Sequence, residues 1–149
     1  MSDTKGDAEA LCFIDTNIWL YAFIESQDPE KTIVAKSVIQ NHEVVVSPQV
    51  VNEVCVNLIK KVRFDEPSIQ DLIASFYTKY RVVDISREVL LKASQLRQRY
   101  QVSFWDSLIV SSALSAGATV VYSEDMQAGL VVDQRLRIVN PFTEESQAT

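Results

Sequence analysis

Hydrophobic residues occur along this chain in two patterns, short continuous runs and stripes with helical spacing. The short runs are rich in valine and isoleucine, as expected for strands buried on both faces. They lie at residues 11–15, 43–47, 81–85, 119–123 and 136–140. Helical patterns fill the intervals. Alternating strands and helices predict an α/β fold in which helices cover both faces of a parallel sheet.

Capping residues predict where several of the helices begin and end. A serine side chain can accept a hydrogen bond from the first helical turn, and glycine commonly follows a helix end. The predicted helices begin after Ser47, Ser86 and Ser103 and end near residue 62, Tyr100 and Gly117. A further apolar stripe along residues 69–80 predicts a helix that faces the core.

The length of 149 residues, with 47% hydrophobic, suits one domain, expected at residues 11–142. The polar segments 1–10 and 143–149 are predicted to be disordered tails. No apolar run approaches the roughly 20 residues that a membrane-spanning helix needs, and the start lacks a secretory-signal pattern, so we expect a cytoplasmic protein without membrane contact. Cys12 and Cys55 lie in apolar stretches and are expected to be buried free thiols.

Charge and residue usage exclude several classes of site. A net charge of −6 argues against a broad positive surface and counts against a nucleic-acid substrate without excluding one. His42 is the only histidine, and its place after a predicted helix favours a C-terminal cap over catalysis. Zinc sites and histidine-based ribonuclease chemistry therefore lack their usual residues. Three glycines cannot form a phosphate-binding loop.

Four segments interrupt an apolar run with a carboxylate, and they contain Asp15, Glu53, Asp106 and Asp125. A carboxylate beside residues that favour burial carries a desolvation cost unless a cation meets it. Oxygen ligands alone would favour Mg²⁺ or Mn²⁺. Ligands of a parallel α/β sheet collect at the carboxyl ends of its strands, where Asp15 and Asp125 are expected and which Glu53 can reach.

Each of these acids also has a purely structural interpretation. Asp15 could cap a helix, and Asp106 could complete a capping box with Ser103. Glu53 could be an exposed helical residue, and residues 124–125 could form a turn. Strand order does not place Asp106, because its helix follows another helix. The joint occurrence of all four acids favours a common site.

The arrangement resembles the PIN-domain family, in particular the VapC-type toxins of toxin–antitoxin systems, over nearly all of residues 11–142. The resemblance rests on Phe-Ile-Asp-Thr-Asn at 13–17, on Glu53, on Trp-Asp-Ser-Leu-Ile at 105–109 and on Tyr-Ser-Glu-Asp-Met at 122–126. It implies a five-stranded parallel sheet between helices and Mg²⁺- or Mn²⁺-dependent cleavage of RNA. It also implies that the helix bearing Asp106 begins at the acidic pocket.

The resemblance further implies roles for individual residues and for partners. The four acids would be catalytic and bind metal, with Asn17 and Ser123 as polar supports and Glu124 as a weaker candidate. The RNA backbone could be contacted by Lys60, Lys61, Arg97 and Arg99, although such residues usually form a solvated helix face. An antitoxin would cover the acidic groove, and a homodimer could use apolar residues of segments 33–39 and 50–58.

Two other functions compete with a metal-dependent ribonuclease. A phosphatase with Asp15 as nucleophile, like the haloacid dehalogenase-like enzymes, would carry a second acid where this chain has Asn17. A PIN fold that binds RNA or protein without catalysis is the second alternative. Titration with a divalent ion distinguishes it, because only an intact metal site would gain thermal stability.

Overall fold

The structure of the protein, a computed structural model, describes residues 11–143. Its elements in chain order are β1 (Leu11–Ile14), α1 (Thr16–Phe23), a 3₁₀ turn (Glu25–Gln27), α2 (Pro29–Gln40), β2 (Glu43–Val46), α3 (Pro48–Val62), α4 (Glu66–Lys79), β3 (Arg81–Val82), α5 (Arg87–Arg99), α6 (Phe104–Ser115), β4 (Val120–Tyr122), β5 (Val131–Val132) and β6 (Leu136–Val139). The tails predicted to be disordered lie outside the described residues, apart from Thr143. Their disorder stays a prediction.

The strands form one mostly parallel sheet with the order β3-β2-β1-β4-β6-β5. All neighbouring pairs are parallel except β5 and β6. The predicted α/β class and the flanking helices are confirmed. The strand predicted at residues 81–85 is shorter than expected and pairs with β2 only through Arg81 and Val82.

The prediction of five strands was wrong by one, because the sheet has six. The additional strand β5 is two residues long and pairs antiparallel with β6. Asp133 and Gln134 join the two strands with φ values of 51° and 59°, and Arg135 N–H donates to the carbonyl of Val132 at 3.0 Å. This is the geometry of a type I′ turn, which usually contains glycine. The turn has none, so the sequence lacks the usual hairpin signal.

The predicted helix caps are confirmed. The hydroxyls of Ser47, Ser86 and Ser103 each accept a hydrogen bond from the backbone three residues later. Gly117 follows α6 with φ of 80°, and its N–H donates to the carbonyl of Leu114 at 3.0 Å. These bonds satisfy backbone groups that helix ends leave unpaired.

A single core holds the sheet and the helices together. Trp19 is 1% exposed, its indole N–H donates to the carbonyl of Ile14 at 3.0 Å, and its ring meets Phe76 edge-on at 4.9 Å. Cys12 and Cys55 are buried and free, as predicted, and burial raises the pKa of Cys12 to about 12. Within residues 11–143, the helices are all too short or too polar to cross a bilayer.

Candidate metal centre

The candidate site lies where the strand order reverses. Strand β1 has β2 on one side and β4 on the other, so the connections leave it in opposite directions and open a crevice at its carboxyl end. Asp15 follows β1 directly, and its N–H donates to the carbonyl of Tyr122 at 3.0 Å. The segment from Ser123 to Asp125 follows β4. Parallel pairing of β1 and β4 therefore brings two of the predicted segments side by side.

Asp15 is held by two hydrogen bonds to its carboxylate. Thr16 N–H donates to Oδ1 at 2.8 Å, and the hydroxyl of Ser123 donates to Oδ2 at 2.9 Å. Ser123 is fully buried, and its Oγ also accepts the N–H of Met126 at 3.2 Å. The structural interpretation of Asp15 as a helix cap is thus correct, and it does not compete with the functional one. The cap fixes the carboxylate in the crevice.

Helix α3 brings Glu53 to the same crevice. The helix begins at the carboxyl end of β2, which pairs with β1, so its early turns lie beside Asp15. The Thr16 hydroxyl donates to Oε1 of Glu53 at 3.3 Å. Sequence reasoning did not assign a role to Thr16, which contacts Asp15 with its N–H and Glu53 with its hydroxyl. Its position between Asp15 and Asn17 is the signal that could have identified it.

Asp106 occupies the first turn of α6, and the backbone rather than the side chain makes its cap contact. Its N–H donates to the hydroxyl of Ser103 at 3.1 Å. The charge of Asp106 acts on both Asp15 and Glu53, raising the pKa of each. The helix that strand order could not place therefore begins within electrostatic range of the other acids.

Asp125 and Glu124 differ in their surroundings although they are adjacent. The side-chain amide of Asn17 donates to Oδ2 of Asp125, which links the end of the β4 segment to α1. Glu124 instead forms an ion pair with Lys31 and accepts a hydrogen bond from the Tyr21 hydroxyl at 2.8 Å. These contacts connect Glu124 to α1 and α2, and its role as a weaker candidate in the site stays a prediction.

Neighbouring negative charges act on two of the acids in the crevice. Burial raises the pKa of Asp15 most, and the charges of Asp106 and Asp125 raise it further, against the hydrogen bonds from Thr16 and Ser123. Burial, followed by the charge of Asp15, raises the pKa of Glu53. The charged groups among the leading causes of both shifts are all acids.

The donor set suits a hard divalent cation, although the carboxylates are not gathered into a finished coordination shell. No three His, Cys, Asp or Glu side chains between residues 11 and 143 lie close enough together to hold an ion as they stand. The acids supply only oxygen, their charges repel, and each would be stabilised by a cation between them. By donor type and charge, the site fits Mg²⁺ or Mn²⁺.

The basic residues predicted to contact RNA have different environments. Lys60 and Lys61 are exposed on the last turn of α3. The Arg97 guanidinium donates to the Ser107 hydroxyl at 2.7 Å and lies 4.3 Å from the centre of the Phe104 ring. Arg99 lies 3.5 Å from the carboxylate of Asp133. Their contact with RNA stays a prediction.

His42 has the capping role predicted for it. Its Nδ1 lies 2.8 Å from the carbonyl of Val38, in the last turn of α2. Its Nε2 lies 3.1 Å from the Tyr122 hydroxyl, which fits an Nδ1–H tautomer with Nε2 as acceptor. The ring therefore links α2 to β4.

Comparisons with solved structures give the same fold. A toxin–antitoxin complex from Klebsiella pneumoniae matches at a TM-score of 0.67 and 19% identity, over 88% of this chain and 98% of that one. VapC20 of Mycobacterium tuberculosis, described as a sarcin-ricin loop cleaving toxin, matches at 0.62 and 20%, over 76% and 89%. DNA-bound VapBC from Salmonella typhimurium matches at 0.59 and 17%, over 87% and 96%.

Sequence comparison places the chain in a family. Curated proteins give no significant match. The family model for the PIN domain matches residues 12–129, which include all four acids and most of the described fold. The chain therefore belongs to the PIN domain family.

Proposed function

We propose that this protein is a Mg²⁺- or Mn²⁺-dependent endoribonuclease and the toxin of a toxin–antitoxin pair. One observation carries the proposal: four acids from separate segments approach one crevice, where the charges of neighbouring acids raise the pKa of Asp15 and of Glu53. A fold selected only for stability gains nothing from such repulsion. A divalent cation would neutralise the carboxylates and could at the same time bind the phosphate of an RNA phosphodiester.

The residues of the site would have different roles in hydrolysis. Asp15 and Asp106 would hold the ion directly, and Glu53 and Asp125 would complete the carboxylate set. When bound, the ion supplies neutralisation of charge on the phosphate and lowers the pKa of the attacking water. Thr16 orients Glu53 through its hydroxyl, and Asn17 orients Asp125 through its amide.

The comparisons support an RNA substrate and a protein partner. VapC20 is described as cleaving the sarcin-ricin loop, and the Klebsiella and Salmonella structures contain toxin–antitoxin pairs. We extend both properties to this chain as part of the proposal. An antitoxin would lie over the acidic crevice, where a basic side chain could neutralise the carboxylates.

A homodimer, if it forms through the two predicted segments, has a limited apolar surface there. Ile33 is 71% exposed on α2 and Val56 is 40% exposed on α3. Val38, Val54 and Leu58 from the same segments are buried within the protomer. The dimer prediction therefore rests on fewer residues than the sequence pattern offered.

RNA cleavage by purified protein tests the proposal. Total RNA is incubated with the protein in Mg²⁺ or Mn²⁺, and new 5′ ends are mapped. Asp106→Asn should abolish cleavage while preserving the fold, because the backbone N–H that binds Ser103 is unchanged. Asp71→Asn, an exposed acid on α4, is the matched control and should cleave normally. Cleavage that survives both EDTA and Asp106→Asn would refute the proposal.

Binding of the ion can be tested without RNA. A site that binds Mn²⁺ only in the folded state gains about 2.7 kcal/mol of stability when the ion is at 100 times its dissociation constant. Wild type and Asp71→Asn should gain thermal stability with Mn²⁺, and Asp106→Asn should gain much less. Equal indifference of all three proteins would favour the non-catalytic binding module.

A further inference from the structure

Two large aromatic side chains stand in solvent at the start of α6. Phe104 is 58% exposed and Trp105 is 63% exposed. Their ring centres lie 5.5 Å apart at an interplanar angle of 75°, so each ring leaves a face or an edge open. They directly precede Asp106 on the same helical turn. An exposed aromatic pair is therefore attached to the backbone that carries one of the acids.

Folding does not account for this pair. The helix start is already capped by Ser103, which needs no aromatic neighbour. The other tryptophan, Trp19, is 1% exposed and lies in the core, which shows how this chain uses a tryptophan for stability. Trp105 remains mostly in water and therefore does not contribute the stabilisation that burial of a large apolar side chain provides.

Arg97 fixes one ring of the pair and brings positive charge to it. Its guanidinium lies 4.3 Å from the centre of the Phe104 ring, and it donates to the buried hydroxyl of Ser107 at 2.7 Å. The Ser107 hydroxyl in turn donates to the carbonyl of Phe104 at 2.6 Å. Phe104 therefore contacts Arg97 through its ring, Ser107 through its carbonyl and Trp105 through its ring.

We propose that Trp105, supported by Phe104 and Arg97, is a stacking platform for an unpaired base of the RNA substrate. This inference rests on the ribonuclease function proposed above and adds that the substrate is single-stranded beside the cleaved bond. Aromatic rings bind bases of single strands and loops, whereas bases in a duplex are already stacked. A nearby guanidinium complements the negatively charged backbone of such a strand.

Size and position favour a nucleobase over a protein partner. Two adjacent rings offer the area of about one base, far less than the roughly 800 Å² per partner of a stable protein interface. The rings also adjoin Asp106, so a strand with one base on Trp105 has its backbone next to the acidic crevice. A surface for an antitoxin or a second copy is the competing interpretation that the experiment must separate.

Fluorescence anisotropy of a dye-labelled RNA can report on this platform, because the signal does not depend on Trp105 and is the same readout for wild type and for Trp105 variants. The probe is a twelve-nucleotide single-stranded oligoadenylate, compared with its duplex with oligouridylate. Binding is measured in Ca²⁺, whose longer and more flexible bonds to oxygen suit binding better than an ordered reaction. Gel electrophoresis verifies that the RNA stays intact.

Three variants separate stacking from general apolar contact. Trp105→Leu keeps apolar bulk without an aromatic face and should weaken binding of the single strand about tenfold, within the range for loss of one stacked base. Trp105→Phe keeps a ring and should remain within about threefold of wild type. Leu90→Ala removes an exposed apolar side chain on α5 and should bind as wild type. In cleavage assays, Trp105→Leu should raise KM more than it lowers kcat.

The possible failures are distinguishable. Trp105→Leu could bind the single strand as tightly as wild type while wild type cleaves RNA. That result would refute the stacking role of Trp105 and leave the ribonuclease proposal intact. If Trp105→Leu changes only the oligomeric state in light scattering, the pair is a protein interface and the platform is likewise overturned. If wild type neither binds nor cleaves any RNA, the proposed function fails, and the platform fails with it.

Discussion

Replacing Ser123 by alanine should strongly destabilise the protein, and a matched replacement elsewhere should not. The Ser123 side chain is fully buried, donates to Oδ2 of Asp15 at 2.9 Å and accepts the N–H of Met126 at 3.2 Å. A hydrogen bond to a charged group contributes about 1.5–3 kcal/mol, and a buried N–H left without a partner costs about 1–3 kcal/mol. Allowing for partial relaxation, Ser123→Ala should lose roughly 2–4 kcal/mol.

Ser112 provides the control for this experiment. It is also fully buried, but its hydroxyl has no hydrogen-bond partner within residues 11–143. Ser112→Ala therefore removes an unsatisfied polar atom from the last turn of α6 and places a better helix former there. The same chemical change should be neutral or should stabilise the protein by up to about 1 kcal/mol.

Urea denaturation and thermal melting, both in EDTA, measure the two variants without metal. For a chain of this length, each kcal/mol shifts Tm by about 2–4 °C, so Ser123→Ala should melt about 5–15 °C below wild type. The hydrogen bond favours the ionised carboxylate, so its loss should raise the pKa of Asp15 further. Equal stability of Ser123→Ala and Ser112→Ala would refute the reasoning, because it would show that the bonds to Asp15 and Met126 contribute nothing.

Three further predictions concern contacts outside the acidic crevice. Lys92 and Arg99 lower the pKa of Asp133, so its ionised form stabilises the fold above the unfolded pKa, and the benefit disappears as pH falls through the lower folded pKa. In urea denaturation, Asp133→Asn should thus lose about 1 kcal/mol of unfolding free energy at pH 7 and little at a pH below the folded pKa of Asp133. An equal loss at the two pH values would contradict this prediction. Arg63 ends α3 with φ of 57°, so Arg63→Gly should raise the unfolding free energy by about 1 kcal/mol, and a lower Tm would count against it. A double-mutant cycle of Lys31→Met with Glu124→Gln should give a coupling of about 0.5–1 kcal/mol, whereas additive effects would show that the ion pair is inert.

The parts of the fold that the sequence predicted are those with local chemical causes. Apolar strands and capped helices depend on residues close in sequence, so Ser47, Ser86 and Ser103 identified three helix starts. The hairpin of β5 and β6 was missed because Asp133 and Gln134 adopt positive φ without the glycine that normally accompanies such a turn. Tertiary pairing with β6 overrides the local preference there.

The four acids and two of their polar contacts, Asn17 and Ser123, were named from the sequence, whereas the contact made by Thr16 was not. A carboxylate that interrupts an apolar run is visible in the sequence, and chain order places Asp15 and Asp125 at neighbouring strand ends. The hydrogen bond from Thr16 to Glu53 spans 37 residues and depends on how α1 packs against α3. Arg97 shows the same limit, because its basic charge suggested RNA contact while its stacking on Phe104 depends on the packing of α5 against α6.

The supports explain how the chain tolerates a repulsive cluster. Three of the acids are attached to backbone that is fixed independently of their charge: Asp15 by the bond from its N–H to the carbonyl of Tyr122, Asp106 by the bond from its N–H to Ser103, and the Ser123 segment by β4 and the N–H of Met126. Repulsion can therefore raise the pKa of Asp15 and of Glu53 without separating the elements that carry the acids. Because the backbone positions are fixed, a cation needs to reorient only side chains. Relief of the repulsion between the carboxylates then adds to the affinity of the site for the cation. Acids spaced widely enough not to repel one another would not make this contribution.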